Sequence, residues 1–281
     1  MTFQILILLL LALLGLFLIV TLGKPLFRYY RRKQLRSSPF PPKWEEILNR
    51  SVALYRHLPD LLKKELQGHI QVFLDEKIFE GCGGLKITDE IRVTIAGQAC
   101  ILLLNRKPNY YPKLYTILVY PSAYVGKKVT VTGMLHTEVT APVAGESWTR
   151  GEVVLAWDNV RQAAIDLAFG HNVVLHEFAH QLDQEDGSAN GAPILEKGTS
   201  YRTWAMVLSK EYKKLKRKAL SGRKDIMDYY GATNPAEFFA VATETFFERP
   251  EQMKLTHPEL YKELVSYYKL DPLKLFENND H

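Results

Sequence analysis

Val173-Val174-Leu175-His176-Glu177-Phe178-Ala179-His180-Gln181-Leu182-Asp183 is the stretch whose reading decides the fold. Val173, Val174, Leu175, Ala179 and Leu182 recur at helical spacing, which predicts a helix buried along its apolar side. His176 and His180 stand four positions apart, so they share one face of that helix and can aim two imidazole nitrogens at one point. Glu177 projects close to that point without joining the row. His-Glu-x-x-His therefore sketches two ligands of a zinc site and a carboxylate suited to taking a proton from metal-bound water. The competing reading is an amphipathic helix with two partly exposed histidines.

A catalytic zinc needs a third protein ligand and one open position. Downstream, Tyr229-Tyr230-Gly231-Ala232-Thr233-Asn234-Pro235-Ala236-Glu237 begins as a turn and becomes a helix, with Asn234 placed as N-cap and Pro235 as the first helical residue. Glu237 falls at the third helical position, where it is either a ligand or the reciprocal carboxylate of a capping box. Glu244 follows seven residues later on nearly the same face, as a rival ligand or as an acceptor that fixes a histidine ring. Spacing alone leaves Glu237 and Glu244 equal.

Several segments together resemble the Mlc titration factor A family of zinc-dependent peptidases, whose catalytic core is similar to that of anthrax lethal factor. The resemblance rests on Phe79-Glu80-Gly81-Cys82-Gly83-Gly84-Leu85, Asp89 to Ala96, Leu118 to Ala123, Val173 to Asp183 and Asn234 to Val241, and spans roughly residues 40 to 270. It implies a helix-rich α+β, zincin-like metallopeptidase domain that holds one Zn2+ per chain through His176, His180 and Glu237. It implies Glu177 as the catalytic carboxylate and Tyr230, seven residues before the ligand glutamate, as the phenol that steadies the oxyanion. Tyr229 is the neighbouring alternative. Glu244 and Asp183 are then acceptors for ligand imidazoles, although Asp183 reads equally well as a solvated carboxylate at the helix end. The resemblance implies a peptide or protein substrate, and it also allows a regulatory partner such as a transcriptional repressor, sequestered rather than cut. Val153-Val154-Leu155-Ala156-Trp157 reads as a strand before the active helix, either the edge that pairs with extended substrate or plain core.

The amino terminus carries the second strong signal. Phe3 to Leu22 is twenty residues without a charge, long enough for a transmembrane helix, and Met1-Thr2-Phe3-Gln4 lacks the basic start of a cleaved signal peptide. Lys24, Arg28, Arg31, Arg32, Lys33 and Arg36 follow, with Tyr29 and Tyr30 among them at the depth of an interfacial aromatic belt. The positive-inside rule then gives a single-pass protein of the cell membrane with a cytoplasmic body. These six cations also account for the net charge of +5, since the remaining residues hold 30 basic against 31 acidic side chains. The basic character points to anionic lipid headgroups and gives no support to nucleic-acid binding.

The chain therefore divides into an anchor at 1–23, a basic juxtamembrane segment and Pro-rich linker at 24–42, one peptidase domain at 43–271, and a tail at 272–281. Within the domain, Trp44 to Gly68, Ile70 to Glu80, Asp89 to Leu104, Trp204 to Leu220, Pro235 to Glu248 and Pro258 to Tyr268 read as helices. Tyr115 to Tyr120 and Val129 to Leu135 read as strands. Lys210 to Lys218 is a solvated helix face whose apolar stripe runs through Tyr212 and Leu215. Two cysteines, Cys82 and Cys100, are too few for a disulfide framework. His171 lies off the ligand face, and His57, His69, His136, His257 and His281 have no partner legible in the sequence.

Overall fold

Extended structure needs runs that tolerate burial on a pleated surface, and few segments of this chain supply one, so helices dominate. The computed structural model describes residues 2–132, 135–143, 145–148, 151–167, 170–196 and 200–277; for residues 2, 6, 8–10, 12–22 and the described parts of 124–150 it describes the backbone alone. Helices α1 Thr2–Ser37, α2 Pro42–Ser51, α3 Ala53–His57 and α4 Asp60–Glu76 precede strand β1 Ile78–Gly81. Helix α5 Asp89–Ile101 leads to β2 Thr116–Tyr120, followed by β3 Tyr124–Thr132, β4 Leu135–Val143, β5 Gly145–Trp148 and β6 Glu152–Ala156. The remainder is helical: α6 Trp157–Ile165, α7 Val173–Asp183, α8 Tyr201–Ser221, α9 Pro235–Glu248, α10 Pro250–Thr256, α11 Pro258–Tyr268 and α12 Pro272–Glu277. This is a helix-rich α+β body with a small sheet, consistent with a zincin-like peptidase domain.

The main sheet has the order β1-β2-β6-β5, while β3 and β4 form a separate antiparallel hairpin. β1, β2 and β6 are parallel, with Ile78 opposite Thr116 and Thr116 opposite Glu152, and β5 runs antiparallel to β6 with Glu146 opposite Val154. Val153, Val154, Leu155 and Ala156 are all buried, as a strand covered on both faces requires. β6 thus has neighbours along both edges and ends at Ala156, because Trp157 opens α6. That corrects the reading of Val153–Trp157 as a substrate edge: among the described residues the outer strand on this side is β5. The strand expected over Val129 to Leu135 is likewise divided, since β3 closes at Thr132 and Leu135 opens β4; Gly133 and Met134 lie outside the described residues.

The helix expected from Trp44 to Gly68 breaks at Val52, whose backbone is extended, and again before Asp60, where Pro59 precedes α4. The expected boundary at Gly68 does not exist. α4 runs through that glycine because α1 packs there: a Cβ on Gly68 would stand 3.2 Å from the Arg36 carbonyl oxygen. The helix expected to continue to Glu80 stops at Glu76, because Ile78 to Gly81 pairs with β2, so tertiary pairing overrides local propensity.

The same packing uses up cations expected to face lipid. Arg31 pairs with Asp75 at 2.7 Å, and Arg32 grips Glu76 through two bonds of 2.6 and 2.9 Å while its guanidinium lies 4.7 Å from the Tyr110 ring centroid. Past the end of α1, the Gln71 amide donates to the Pro39 carbonyl at 2.9 Å. The apolar stretch expected to span a bilayer is the first half of α1; among the described residues no helix is long and apolar enough to cross a membrane. At the other end, the segment expected as a tail forms α12 and buries Leu275 in the core. His281 lies outside the described residues.

Candidate metal centre

Helix α7 is set in place by the residue that caps it. Asn172 accepts the Leu175 amide hydrogen at 3.0 Å and donates from its own side-chain amide to Gln98 of α5 at 2.8 Å, so one buried asparagine caps α7 and ties it to a neighbour. Phe178 points away from the histidine pair into a cluster with Phe73 and Tyr111, at centroid distances of 5.6 and 4.8 Å. Burial of that side fixes the rotation of the helix, and the rotation turns His176 and His180 toward α9.

Glu237 meets them there. Asn234 caps α9 by accepting the Glu237 amide hydrogen at 3.0 Å, with Pro235 as first residue. The Glu237 carboxylate turns toward the histidines, so only the Asn234 half of the capping box is made. His176 Nε2, His180 Nε2 and Glu237 Oε2 form a nearly equilateral triangle with sides of 3.2, 3.1 and 3.2 Å. Zinc bonds of about 2.0 to 2.1 Å arranged tetrahedrally require ligand atoms roughly 3.3 to 3.4 Å apart, which these three donors match within a few tenths of an ångström. Two imidazole nitrogens and a carboxylate oxygen are also the donor types zinc takes in open catalytic sites. Among the described residues this is the one cluster of His, Cys, Asp or Glu able to hold a metal ion.

Glu244 settles which nitrogen of His176 is available. His176 Nδ1 donates to Glu244 Oε1 in a very short hydrogen bond, which turns Nε2 toward His180 and Glu237. Glu244 therefore fixes the His176 ring from outside the triangle of donors. Burial alone pulls the His176 ring toward the neutral form, but Glu244 and Glu237 overcome it and hold the pKa well above the usual range. Glu237 is driven the other way: its burial is outweighed by hydrogen bonds from both histidines, which keep the carboxyl far below its usual range. Glu237 is thus the anionic corner of the triangle, the point at which a cation would meet negative charge.

Glu177 is buried, and its Oε2 lacks a hydrogen-bond partner. Burial raises its pKa against the pull of both histidines, as suits a carboxylate that must take up and release a proton. Tyr230 approaches from the short 3-10 turn Tyr229–Ala232, with its hydroxyl 3.4 Å from the second oxygen of Glu237 and its ring 6.1 Å from that of His176. The turn is held by Asp228, which accepts the Tyr230 amide hydrogen at 2.6 Å. Asp183 matches neither expectation. It is fully buried rather than solvated, and its carboxylate accepts the Gly191 amide hydrogen at 2.8 Å in place of an imidazole proton.

Sequence reading missed the supports of this site. Gln98 carries no motif, whereas Asn172 directly before the apolar run is an N-cap signal and Asp228 two residues before Tyr230 is a recognisable Asx-turn spacing. It also missed a buried charge cluster behind the tyrosine turn. His257 is fully buried at the start of α11 and donates from Nδ1 to Glu211 at 2.6 Å and from Nε2 to Asp225 at 3.0 Å. Both ring nitrogens donate, so the ring is an imidazolium. Lys218 joins Asp225 at 2.6 Å and Lys214 joins Glu211 at 3.3 Å. His69 has partners too, Tyr110 at 2.8 Å and Glu65 at 3.3 Å, and exposed His171 lies 3.8 Å from Asp228. Cys82 and Cys100 are both free thiols.

Comparison with known proteins extends this geometry. An uncharacterised protein of Synechocystis sp. is 43% identical over 253 residues, covering 89% of this chain and 92% of its own length. Mlc titration factor A of Klebsiella pneumoniae is 30% identical over 245 residues, covering 84% of this chain and 89% of its own, and that of Yersinia pestis is 29% identical over 247 residues, covering 84% and 88%. The sequence profile of the glucose-regulated metallo-peptidase M90 family matches residues 27–269, a range that takes in α7, the tyrosine turn and α9 together. With the histidine pair, Glu237 and nearly the whole body inside that match, the chain belongs to the glucose-regulated M90 metallopeptidase family.

Proposed function

We propose that this chain is a membrane-anchored zinc metallopeptidase that hydrolyses peptide bonds, with His176, His180 and Glu237 as the zinc ligands. The observation that carries this reading is the triangle of donors 3.1 to 3.2 Å on a side, spaced for one tetrahedral cation. Bound zinc supplies Lewis acidity at that point, lowering the pKa of water and polarising a carbonyl. Glu177 accepts the proton of the attacking water and passes it to the leaving amine, a role for which its buried Oε2, without a hydrogen-bond partner, is available. Tyr230 turns its hydroxyl from Glu237 to donate a hydrogen bond to the oxyanion of the tetrahedral intermediate. Glu244 keeps the His176 ring in one tautomer throughout.

An extended peptide would add to β5, the outer strand of the main sheet, which lies against α7 and so leads past the histidines. The anchor in this reading is the uncharged run Phe3 to Leu22 within α1, and a cytoplasmic body is supported by the positive-inside rule applied to the cations that follow it. A second reading is favoured by the relatives named for titrating Mlc: the chain binds a regulatory protein such as a transcriptional repressor, and hydrolysis is secondary.

The test uses the full chain purified in detergent. Metal content is measured for wild type, Glu237→Ala and Glu177→Gln, alongside hydrolysis of a peptide library. About one zinc per wild-type chain, lost in Glu237→Ala and kept in Glu177→Gln, with hydrolysis lost in both, is the expected result. A folded wild type that takes up no zinc sinks the peptidase reading. Partner capture that survives Glu177→Gln supports the second reading.

A further inference from the structure

Beside the metal centre, on the far side of the first turn of α9, lies an apolar cavity of about 310 Å³. Its floor is Trp204, Leu208 and Phe238, and its rim includes Tyr201, Tyr212 and Pro235. Among the described lining residues there is no carboxylate, lysine, arginine or histidine.

Three connections join this cavity to the catalytic machinery. Pro235 forms its wall two residues before Glu237, so the two Cα atoms are at most about 7.6 Å apart. Gly191, also in the lining, packs so closely on Pro235 that a Cβ there would stand 2.4 Å from the Pro235 carbonyl oxygen. The Gly191 amide is held by Asp183 of α7, and its carbonyl accepts the Trp204 indole hydrogen at 3.1 Å. Tyr212 donates its hydroxyl hydrogen to the Ala232 carbonyl at 3.2 Å, two residues after Tyr230. The backbone that carries Tyr230 and Glu237 is thus also the partition between metal and cavity. A peptide bound across that partition advances about 3.3 Å per residue, which brings a side chain near the scissile bond within reach of the cavity mouth.

We propose that this cavity is the specificity pocket of the enzyme and receives a large apolar side chain, such as leucine, methionine or phenylalanine, from a substrate residue flanking the scissile bond. The proposal rests on the peptidase reading above. The volume is at the bottom of the range for small-ligand pockets, about 300 Å³, and suits a side chain better than a free ligand. A charged side chain would lose its hydration there and meet no opposite charge among the described lining residues, so Asp, Glu and Lys are disfavoured. This also gives Asp183 a role that sequence spacing could not supply: it fixes the Gly191 wall.

Ala205 and Ser209 line the cavity from exposed positions on α8, so Ala205→Phe and Ser209→Phe can fill it without disturbing the core. Peptides varied at each position around the cut are compared by kcat/KM with the zinc-loaded full chain. At one position wild type prefers Leu or Phe over Asp by about ten-fold or more. The filled variants lose most of that preference while cleaving peptides with alanine there within about two-fold of wild type. Without turnover, the same peptides are titrated calorimetrically into Glu177→Gln, where apolar peptides bind about ten-fold more tightly than their Asp counterparts and Ser209→Phe removes the difference. Cleavage with an unchanged apolar preference in the filled variants overturns the pocket alone. A zinc-loaded wild type that cleaves no peptide overturns the peptidase reading and the pocket's role with it.

Discussion

Replacing His257 by alanine removes the ring that bridges two buried carboxylates, Glu211 at 2.6 Å and Asp225 at 3.0 Å. Taking one partner out of a buried ion pair costs about 3 to 5 kcal/mol. Lys214 and Lys218 stay in contact with those carboxylates at 3.3 and 2.6 Å, so the lower end, about 3 kcal/mol, is expected. For a body of this size each kcal/mol moves Tm by roughly 2 to 4 °C, which gives a fall of about 6 to 12 °C at pH 6. The pH dependence has a definite sign. Burial lowers the His257 pKa, but the hydrogen bonds it donates to Asp225 and Glu211 outweigh it and leave the pKa raised. The ring's contribution is therefore fully present below its unfolded value of about 6.5 and is lost as pH rises through the higher folded value. Thermal melts by circular dichroism, at pH 6 and again near pH 9, should show the gap between wild type and His257→Ala narrowing. A fall below about 2 °C at pH 6, or a gap that widens with pH, would refute the reasoning.

Glu244→Gln keeps the fold but weakens zinc binding by about 10- to 100-fold, read by competition with a chromophoric chelator, since it supports a ligand without being one. Tyr230→Phe retains zinc and lowers kcat by roughly 10²- to 10³-fold with little change in KM; an equal loss in metal content would show that the phenol serves the ligand set instead. Asn172→Ala removes the cap of α7 and its bond to Gln98, costing about 1 to 2 kcal/mol in chemical denaturation. Gly191→Ala, with φ of +76° and no room beside Pro235, should cost more than that cap variant and lower hydrolysis of apolar peptides as the partition shifts.

The convergence of His176, His180 and Glu237 was legible because these residues follow helical arithmetic: His176 and His180 one turn apart, and Glu237 at a fixed place after an Asn-Pro start. Spacing could not separate Glu237 from Glu244, since seven residues return to nearly the same helix face; three-dimensional convergence does so by putting one carboxylate between two Nε2 atoms and the other behind Nδ1. Long helices with caps, such as Pro235–Glu248 and Pro258–Tyr268, were readable to the residue. The region from Trp44 to Glu80 was not, because its breaks depend on what packs against it: Gly68 passes mid-helix under Arg36, and Ile78 to Gly81 takes its form from β2. For β6 the plain core reading held and the substrate-edge alternative fell, since a run of apolar residues reports burial and says nothing about which strand stands outermost. His257 was illegible because Glu211, Asp225 and His257 lie far apart along the chain.

The clasp of Arg31 and Arg32 on Asp75 and Glu76 has a mechanical consequence. α1 continues without interruption to Ser37, so Gly23 to Ser37 forms a strut of about 22 Å at 1.5 Å per residue, riveted to α4 rather than swinging from a hinge. On the proposed anchoring, the cleft would then stand at a set height and tilt above the bilayer. Such an enzyme measures its targets as well as reading them: a peptide bond is open to attack only where its own protein holds it at that altitude.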